Sequence, residues 1–211
     1  MEDTSVTVAD VRSVGPDALA LSLESPSDFD ARPGQFVKFS TDIDGERASR
    51  FYSISSPRVD GTFELTVEID PDGDVSPTLR GLGSGDTVVL SGPYGNAFYE
   101  DESSVLVLAG GPGIGPAVGI AERTREEGGE AAVVYRDDDP IHQERLDALA
   151  DRGVAVHVLG DDDPLDVSTA SVGLTDPQIF VYGFVEFLDD AMDAIAAAGG
   201  EPDRAKVENF G

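Results

Sequence analysis

Val105-Leu106-Val107-Leu108-Ala109-Gly110-Gly111-Pro112-Gly113-Ile114-Gly115-Pro116 divides this chain into two kinds of sequence. Residues 105–109 are apolar without alternation, as a strand buried on both faces requires. A glycine-rich turn follows, and then a helix is expected over residues 116–127. Strand, glycine turn and helix in that order aim free N–H groups and a positive dipole end at the turn, which suits a diphosphate. A tight structural turn would use the same glycines. The stretch departs from the G-x-G-x-x-G fingerprint, because Pro116 stands at the third-glycine position.

Beyond this stretch, strands expected at 131–135, 154–159, 179–182 and 206–210 alternate with helices at 141–151 and 186–198. That alternation predicts a parallel α/β sheet with right-handed crossovers, a Rossmann-like domain. Residues 161–171 read as an irregular, solvated acidic loop. Before the stretch the texture is different. Short alternating runs at 4–11, 18–23, 35–40, 62–69 and 87–91 are broken by Gly15-Pro16, Pro33-Gly34, Asp44-Gly45, Asp60-Gly61 and Pro71-Asp72-Gly73. These predict an antiparallel (Greek-key) β-barrel. One short helix is expected at 77–82, with Pro77 at its first position. The boundary falls at 100–103, giving a domain of residues 1–100 and a second of 101–211.

In the first half, Arg50-Phe51-Tyr52-Ser53-Ile54-Ser55 brings a cation, an aromatic ring and a hydroxyl together. On a strand, Arg50 and Tyr52 share a face and Ser53 takes the neighbouring pleat. A guanidinium for phosphate, a flat ring for stacking and a hydroxyl for a ring nitrogen fit a flavin nucleotide. Gly73-Asp74-Val75-Ser76 adds a glycine turn and a hydroxyl suited to a pyrophosphate.

Composition narrows the alternatives. The 211 residues are enough for one large or two small domains, and 40% hydrophobic content is that of a folded chain. Asp and Glu number 42 against 14 Lys and Arg, for a net charge of −28, and only Lys38 and Lys206 are lysines. Acid spread through the chain with lysine nearly removed resembles the proteins of salt-in halophiles. At molar salt the screening length falls to about 3 Å, which relieves the self-repulsion. The charge also argues against nucleic acid as a partner, since no basic stripe exists to neutralise phosphates. The absence of cysteine excludes disulfides, a thiolate nucleophile and a cysteine-ligated cluster within the chain. No signal peptide is visible at Met1-Glu2-Asp3-Thr4, and no apolar run reaches the ~18 residues of a membrane span, so the chain reads as cytoplasmic. His142, at a polar helix start, and His157, in an apolar strand, have no metal-ligand company. No metal site is expected, and no G-x-S-x-G elbow is present.

The motifs in order resemble the ferredoxin–NADP reductase-like flavoenzymes over nearly the whole chain. Pro33-Gly34-Gln35-Phe36-Val37 resembles the family's P-G-Q-[FY] strand, and Arg50-Phe51-Tyr52-Ser53 its R-x-Y-[ST] motif. Gly73-Asp74-Val75-Ser76 is similar to its G-x-x-S element. Gly85-Asp86 and Gly92-Pro93-Tyr94-Gly95 are similar to its G-D and G-P-x-G turns. Gly110 to Pro116 resembles its G-G-x-G-x-x-P pyridine-nucleotide loop.

The resemblance implies FAD in the barrel, NADPH or NADH on the α/β domain, and hydride transfer between them. One-electron exchange would follow with a separate carrier such as ferredoxin or flavodoxin. It implies that Arg50 pairs with the flavin diphosphate, Tyr52 stacks on the ring system, and Ser53 hydrogen-bonds near N5. Gly73, Val75 and Ser76 would hold the pyrophosphate. Gly111, Gly113, Ile114, Pro116, Arg136, Tyr182 and Gly183 would meet the pyridine nucleotide. Glu208 would assist proton movement near Ser53, and Phe210 would cover the open ring face, unless the tail is frayed.

Two departures bear on nicotinamide. Pro112 stands where the family commonly has Thr or Ser, and Tyr182-Gly183 stands where it has Cys-Gly. Tyr182 either fills the nicotinamide pocket or packs in the core. Arg136 either holds an adenosine 2′-phosphate or pairs with Asp137, Asp138 and Asp139, so the choice between NADPH and NADH stays open. The alternatives to the reductase are an NAD(P)H flavin reductase or subunit, and a flavin-binding electron-transfer or sensory module that does not use nicotinamide.

Overall fold

The computed structural model describes residues 1–43 and 45–211. Asp44, half of the expected Asp44-Gly45 turn, lies outside the described residues. Six strands form the first sheet: β1 (Thr4–Gly15), β2 (Ala18–Glu24), β3 (Phe36–Ile43), β4 (Glu46–Ser53), β5 (Thr62–Glu68) and β6 (Thr87–Tyr94). Their order is β4-β3-β6-β1-β2-β5, all antiparallel, with β6 returning between β3 and β1 in the Greek-key manner. An isolated antiparallel bridge from Ile54 to Leu65 joins the two edges and curls the sheet into a barrel. The alternation read in the sequence faces inward: Val6, Val8, Leu21, Leu23, Val37, Phe39, Phe63, Leu65 and Val67 make the barrel core.

Helix α1 (Ser76–Gly81) begins at Ser76, which puts Pro77 at its second position, one residue later than expected. The second sheet is parallel: β7 (Ser104–Gly110), β8 (Glu130–Arg136), β9 (Ala155–Leu159), β10 (Gln178–Gly183) and β11 (Lys206–Asn209), in the order β11-β10-β7-β8-β9. That order reverses direction between β7 and β10, the switch point at whose carboxyl ends doubly wound sheets take ligands. Every residue of β7 is buried, as its unbroken apolar run requires. Helices α2 (Ile114–Glu126), α3 (Gln143–Asp151) and α5 (Val185–Ala197) cover the sheet.

Other expectations fail locally. The acidic 161–171 segment is not wholly irregular: α4 (Val167–Ala170) forms there, and the Asp166 carboxylate accepts from the Thr169 N–H at 2.9 Å. Helix α3 begins two residues later than read, because His142 takes the left-handed conformation with φ of 59°. His142 stands at the start of α3, as expected, but its own side chain is buried, with 3% of the residue exposed.

The barrel and the parallel sheet meet along one face of β5. Gly115 and Gly119, four residues apart on α2, let that helix lie against the barrel. A Cβ on Gly115 would stand 2.7 Å from Thr66 Oγ1, and one on Gly119 would stand 2.7 Å from the Ser55 carbonyl oxygen.

Candidate functional site

Residues 63, 65 and 67 of β5 enter the barrel core, so 64, 66 and 68 face outward toward the second sheet. That outward face makes a closed seam at one end and a cleft at the other. At the closed end Arg145 of α3 donates to Glu64 Oε1 at 2.9 Å, bidentately to Glu122 at 2.6 and 2.8 Å, and to the Ser55 carbonyl at 2.7 Å. Arg12 reaches the other Glu64 oxygen at 2.6 Å, and the Ser55 hydroxyl donates to Oε1 at 2.9 Å. Burial alone would raise the Glu64 pKa. Arg145, the Ser55 hydrogen bond, His142 and Arg12 outweigh it and hold the carboxyl below its ordinary value. One step along, His142 Nε2 lies 2.7 Å from Thr66 Oγ1. Burial and the Arg145 charge, opposed by Glu64, push this imidazole down to about 4, so it is neutral at pH 7.

At the open end two cavities adjoin, with Tyr52 and Glu68 lining both. The first, about 450 Å³, is lined by Arg50, Tyr52, Gly73, Asp74, Val75, Ser76, Asp137 and Asp139 among others. The structure therefore brings Arg50 and the Gly73–Ser76 turn together, as the two motifs require. Register explains how: Arg50 pairs with Phe39 and Tyr52 with Val37 on β3, which turns both side chains to the α1 side. Arg50 Nη2 meets Asp74 at 2.5 Å. Ser76 is buried, and a Cβ on Gly73 would come within 2.9 Å of its hydroxyl. The Tyr52 phenol is pushed up to about 12 by burial, against the pull of Arg50 and with help from Asp74, so it stays neutral.

The second cavity, about 630 Å³, lies between β4, β5 and the carboxyl ends of β7, β10 and β11. It is lined by Phe36, Lys38, Phe51, Tyr52, Ser53, Thr66, Glu68, Tyr94, Pro112, Phe184, Glu208, Asn209 and Phe210. Ser53, Glu208 and Phe210 are thus brought together. The tail is not frayed: β11 pairs with β10 from Phe180↔Lys206 to Gly183↔Asn209, and the Phe210 N–H bonds the Gly183 carbonyl. The Phe210 ring stands edge-on to Phe184 at 6.2 Å. Burial raises the Glu208 carboxyl above its ordinary value.

The nucleotide-loop residues divide. Gly111 takes φ of 53° in a 3-10 turn (Gly111–Gly113), Ile114 begins α2, and Pro116 is buried in its first turn. Gly113 sits against the Tyr182 carbonyl, where no Cβ has room, and Gly183 against the Phe187 ring. Tyr182 itself is fully buried: its ring stacks on Phe180 at 6.4 Å and its hydroxyl donates to the Ala97 carbonyl. It packs in the core rather than filling a pocket. Arg136 does not pair with Asp137, Asp138 or Asp139. Its guanidinium meets Asp190 of α5 at 2.8 Å and lies 5.0 Å over the Phe187 ring, while Asp137 accepts from the Tyr135 hydroxyl at 3.0 Å. Helix α5 packs over the end of β8, a tertiary fact that no local pattern carried.

Sequence reasoning passed over several lining residues. Phe51, 62% exposed, sits inside the quoted motif with its ring edge-on to Phe36 at 5.5 Å. Phe184 follows directly on Tyr182-Gly183. Thr66 and Glu68 continue the polar alternation of β5, which was the available signal. Among the described residues no group of three or more His, Cys, Asp or Glu is arranged to hold a metal, and no helix is long and apolar enough to cross a membrane.

Residues 5–99 match the family model described as an oxidoreductase FAD-binding domain. The chain is 35% identical over 155 residues to the toluate 1,2-dioxygenase electron transfer component of Pseudomonas putida, covering 69% of this chain and 45% of that protein. It spans less than half the length of the curated relatives it matches. Its fold is that of the FAD/NAD-binding domain of nitric oxide dioxygenase from Vibrio cholerae, with a TM-score of 0.84, 22% identity and 98% of each chain covered. It is equally that of a Neisseria gonorrhoeae ferredoxin NADP+ reductase with bound FAD and NADP, with a TM-score of 0.81, 19% identity and 100% of each covered.

Proposed function

We propose that this chain, an FAD-binding oxidoreductase of the ferredoxin reductase type, moves hydride between a nicotinamide dinucleotide and FAD and exchanges single electrons with a separate protein carrier. The observation that carries the reading is the pair of joined cavities. One offers a guanidinium and a glycine-hydroxyl turn, the other is walled by aromatic rings, and Tyr52 stands between them. The residues fit the group: Gly73 leaves a cradle beside Ser76 that a Cβ would fill, and the larger cavity is mostly apolar and lined by aromatic rings.

We assign residues 1–100 to FAD and 101–211 to the pyridine nucleotide. Arg50, with Gly73, Val75 and Ser76, binds the diphosphate of FAD, and Tyr52 holds the ring system by stacking. Ser53 offers its hydroxyl within the ring cavity, and Glu208 is the carboxyl placed to hold a proton there. Phe210, with Phe184, excludes water from the ring face. Bound FAD supplies the capacity to accept a hydride and release electrons singly. Gly111, Gly113, Ile114 and Gly183 form the glycine-lined switch point for the second dinucleotide, with Pro116 shaping the first turn of α2. The one-electron partner in this reading is a ferredoxin- or flavodoxin-like carrier.

The dinucleotide is NADH in preference to NADPH. The carboxyl end of the second parallel strand is where such sheets read the adenosine ribose, an acidic group suiting a free 2′-hydroxyl and a free arginine suiting a 2′-phosphate. Here Arg136 is committed to Asp190 and Phe187, and three aspartates follow it. Anaerobic mixing of FAD-loaded protein with each dinucleotide tests both readings. NADH should bleach the flavin band faster than NADPH. Bleaching by neither would favour a flavin module that does not use nicotinamide. Tyr52→Ala should lose flavin; unchanged affinity would sink the stacking role.

The acid excess belongs to a protein of a high-salt cytoplasm. Its thermal midpoint should rise between about 0.1 and 2 M KCl, a range set by the screening length. A flat response would rule this out.

A further inference from the structure

We propose that Glu68 is a proton-uptake site linked to dinucleotide binding: the chain takes a proton onto this carboxylate when a diphosphate enters the cleft. The proposal rests on the flavin reading above and concerns a residue that reading leaves without a role. Glu68 ends β5 and lines both cavities, so it lies between the ring pocket and the diphosphate pocket. Across the seam its Oε1 is 3.9 Å from where a Cβ on Gly111 would stand. It therefore also faces the glycine turn of the second sheet.

Among the described residues its carboxylate makes no ion pair or hydrogen bond. The charged groups around it explain why. From β4 comes Arg50, which is taken by Asp74 at 2.5 Å. From the turn before β2 comes Asp17, paired with Arg80 of α1 at 3.5 Å. The turn after β5 adds Asp70, the segment after β8 adds Asp137 and Asp139, and β11 adds Glu208. Tyr52 and Tyr135 face it as neutral phenols, and His142, bonded to Thr66 two residues earlier, is neutral. β3 adds one more cation, Lys38, which is paired with Asp3 at 3.8 Å. Carboxylates thus outnumber cations around Glu68, and each cation already has a carboxylate.

A diphosphate brings further negative charge to the same space. A carboxylate facing like charge at close range in a cleft that binding closes to water is neutralised by a proton. The groundwork is present before any ligand arrives: partial withdrawal of the carboxyl from water and then Asp137 push Glu68 up to about 7. The side chain remains accessible from the cleft mouth, so its proton can come from solvent.

The test is calorimetric titration of the flavin-free protein with FAD at pH 7, in phosphate and in Tris, whose ionisation enthalpies differ. A fraction of a proton should be taken up per FAD bound, seen as a buffer-dependent binding heat. In Glu68→Gln the uptake should vanish. The wild-type FAD dissociation constant should weaken by up to about tenfold per pH unit above 7, and that of Glu68→Gln should stay flat. Equal proton uptake in the two proteins overturns the assignment while leaving the flavin reading standing. Absence of any FAD binding heat in the wild type overturns both.

Discussion

Glu64 and Glu68 lie on the same face of the same strand, four residues apart, and meet opposite environments. Around Glu64 helix α3 delivers Arg145, and β1 delivers Arg12, so the carboxylate is held ionised inside a closed seam. Around Glu68 the segments that follow β7 and β8 deliver a glycine turn and Asp137, and the carboxyl is pushed toward its neutral form. One end of the strand is closed by ion pairs, and the other lines an open cleft. The difference shows that residue type and strand position do not set a carboxylate's role; the charges brought to it across the seam do.

The contrast breaks most readily at the closed end. Arg145→Met leaves the Glu64 and Glu122 carboxylates buried without their shared cation. Removing one partner of such a network costs about 3–5 kcal/mol. Urea unfolding at pH 7 should show that loss, and a loss near zero would mean that the seam is wet. Acid should weaken the same end more gently. His142 titrates at about 4 when folded against 6.5 when free, so between pH 6.5 and 4 the unfolded chain takes a proton that the folded chain refuses. Stability should fall by about 2–3 kcal/mol across that window. Glu64, depressed when folded, adds a further loss as pH drops below its free value of 4.5. Replacing His142 with Gln should flatten the slope above pH 4.5; an unchanged slope would place the titration elsewhere.

The open end should respond with the opposite sign and the smallest size. The folded Glu68 pKa lies above its free value of 4.5, so ionising it disfavours the folded state as pH rises from 4.5 to about 7. Glu68→Gln should stabilise the flavin-free protein by about 1 kcal/mol at pH 8, after discounting for solvent screening, and by nothing at pH 4.5. A destabilised variant at pH 8 would show that Glu68 makes a stabilising contact.

Most of the fold was legible along the chain. The five N-terminal runs, the Arg50–Ser55 stretch, the apolar run 105–109 and the later strand–helix alternation all correspond to observed elements, with ends displaced by a few residues. The failures have local causes. His142 in the left-handed region delays α3, and an aspartate cap makes a helical turn inside an acidic stretch read as loop. The site was legible in part. The members of each motif lie close in sequence and could be read there, but the Gly73–Ser76 turn is brought to Arg50 from 24 residues away. Tyr182 and Arg136 were left between two readings, because their partners Ala97 and Asp190 lie 85 and 54 residues away.

The amino-acid sequence by itself determined the order of elements, the division into an antiparallel and a parallel half, and the residue types gathered at Arg50, Tyr52 and Gly73–Ser76. Periodicity, turn residues and short motifs act between neighbours in the chain, so they can be read there. Only the tertiary structure decided that Tyr182 is core, that Arg136 is committed, and that one glutamate of β5 is clamped while the other is left facing a cleft. Each depends on a partner brought from far along the chain: Arg145 stands 81 residues from Glu64. The energy of a buried charge is set by what surrounds it in space, and a one-dimensional pattern does not carry that.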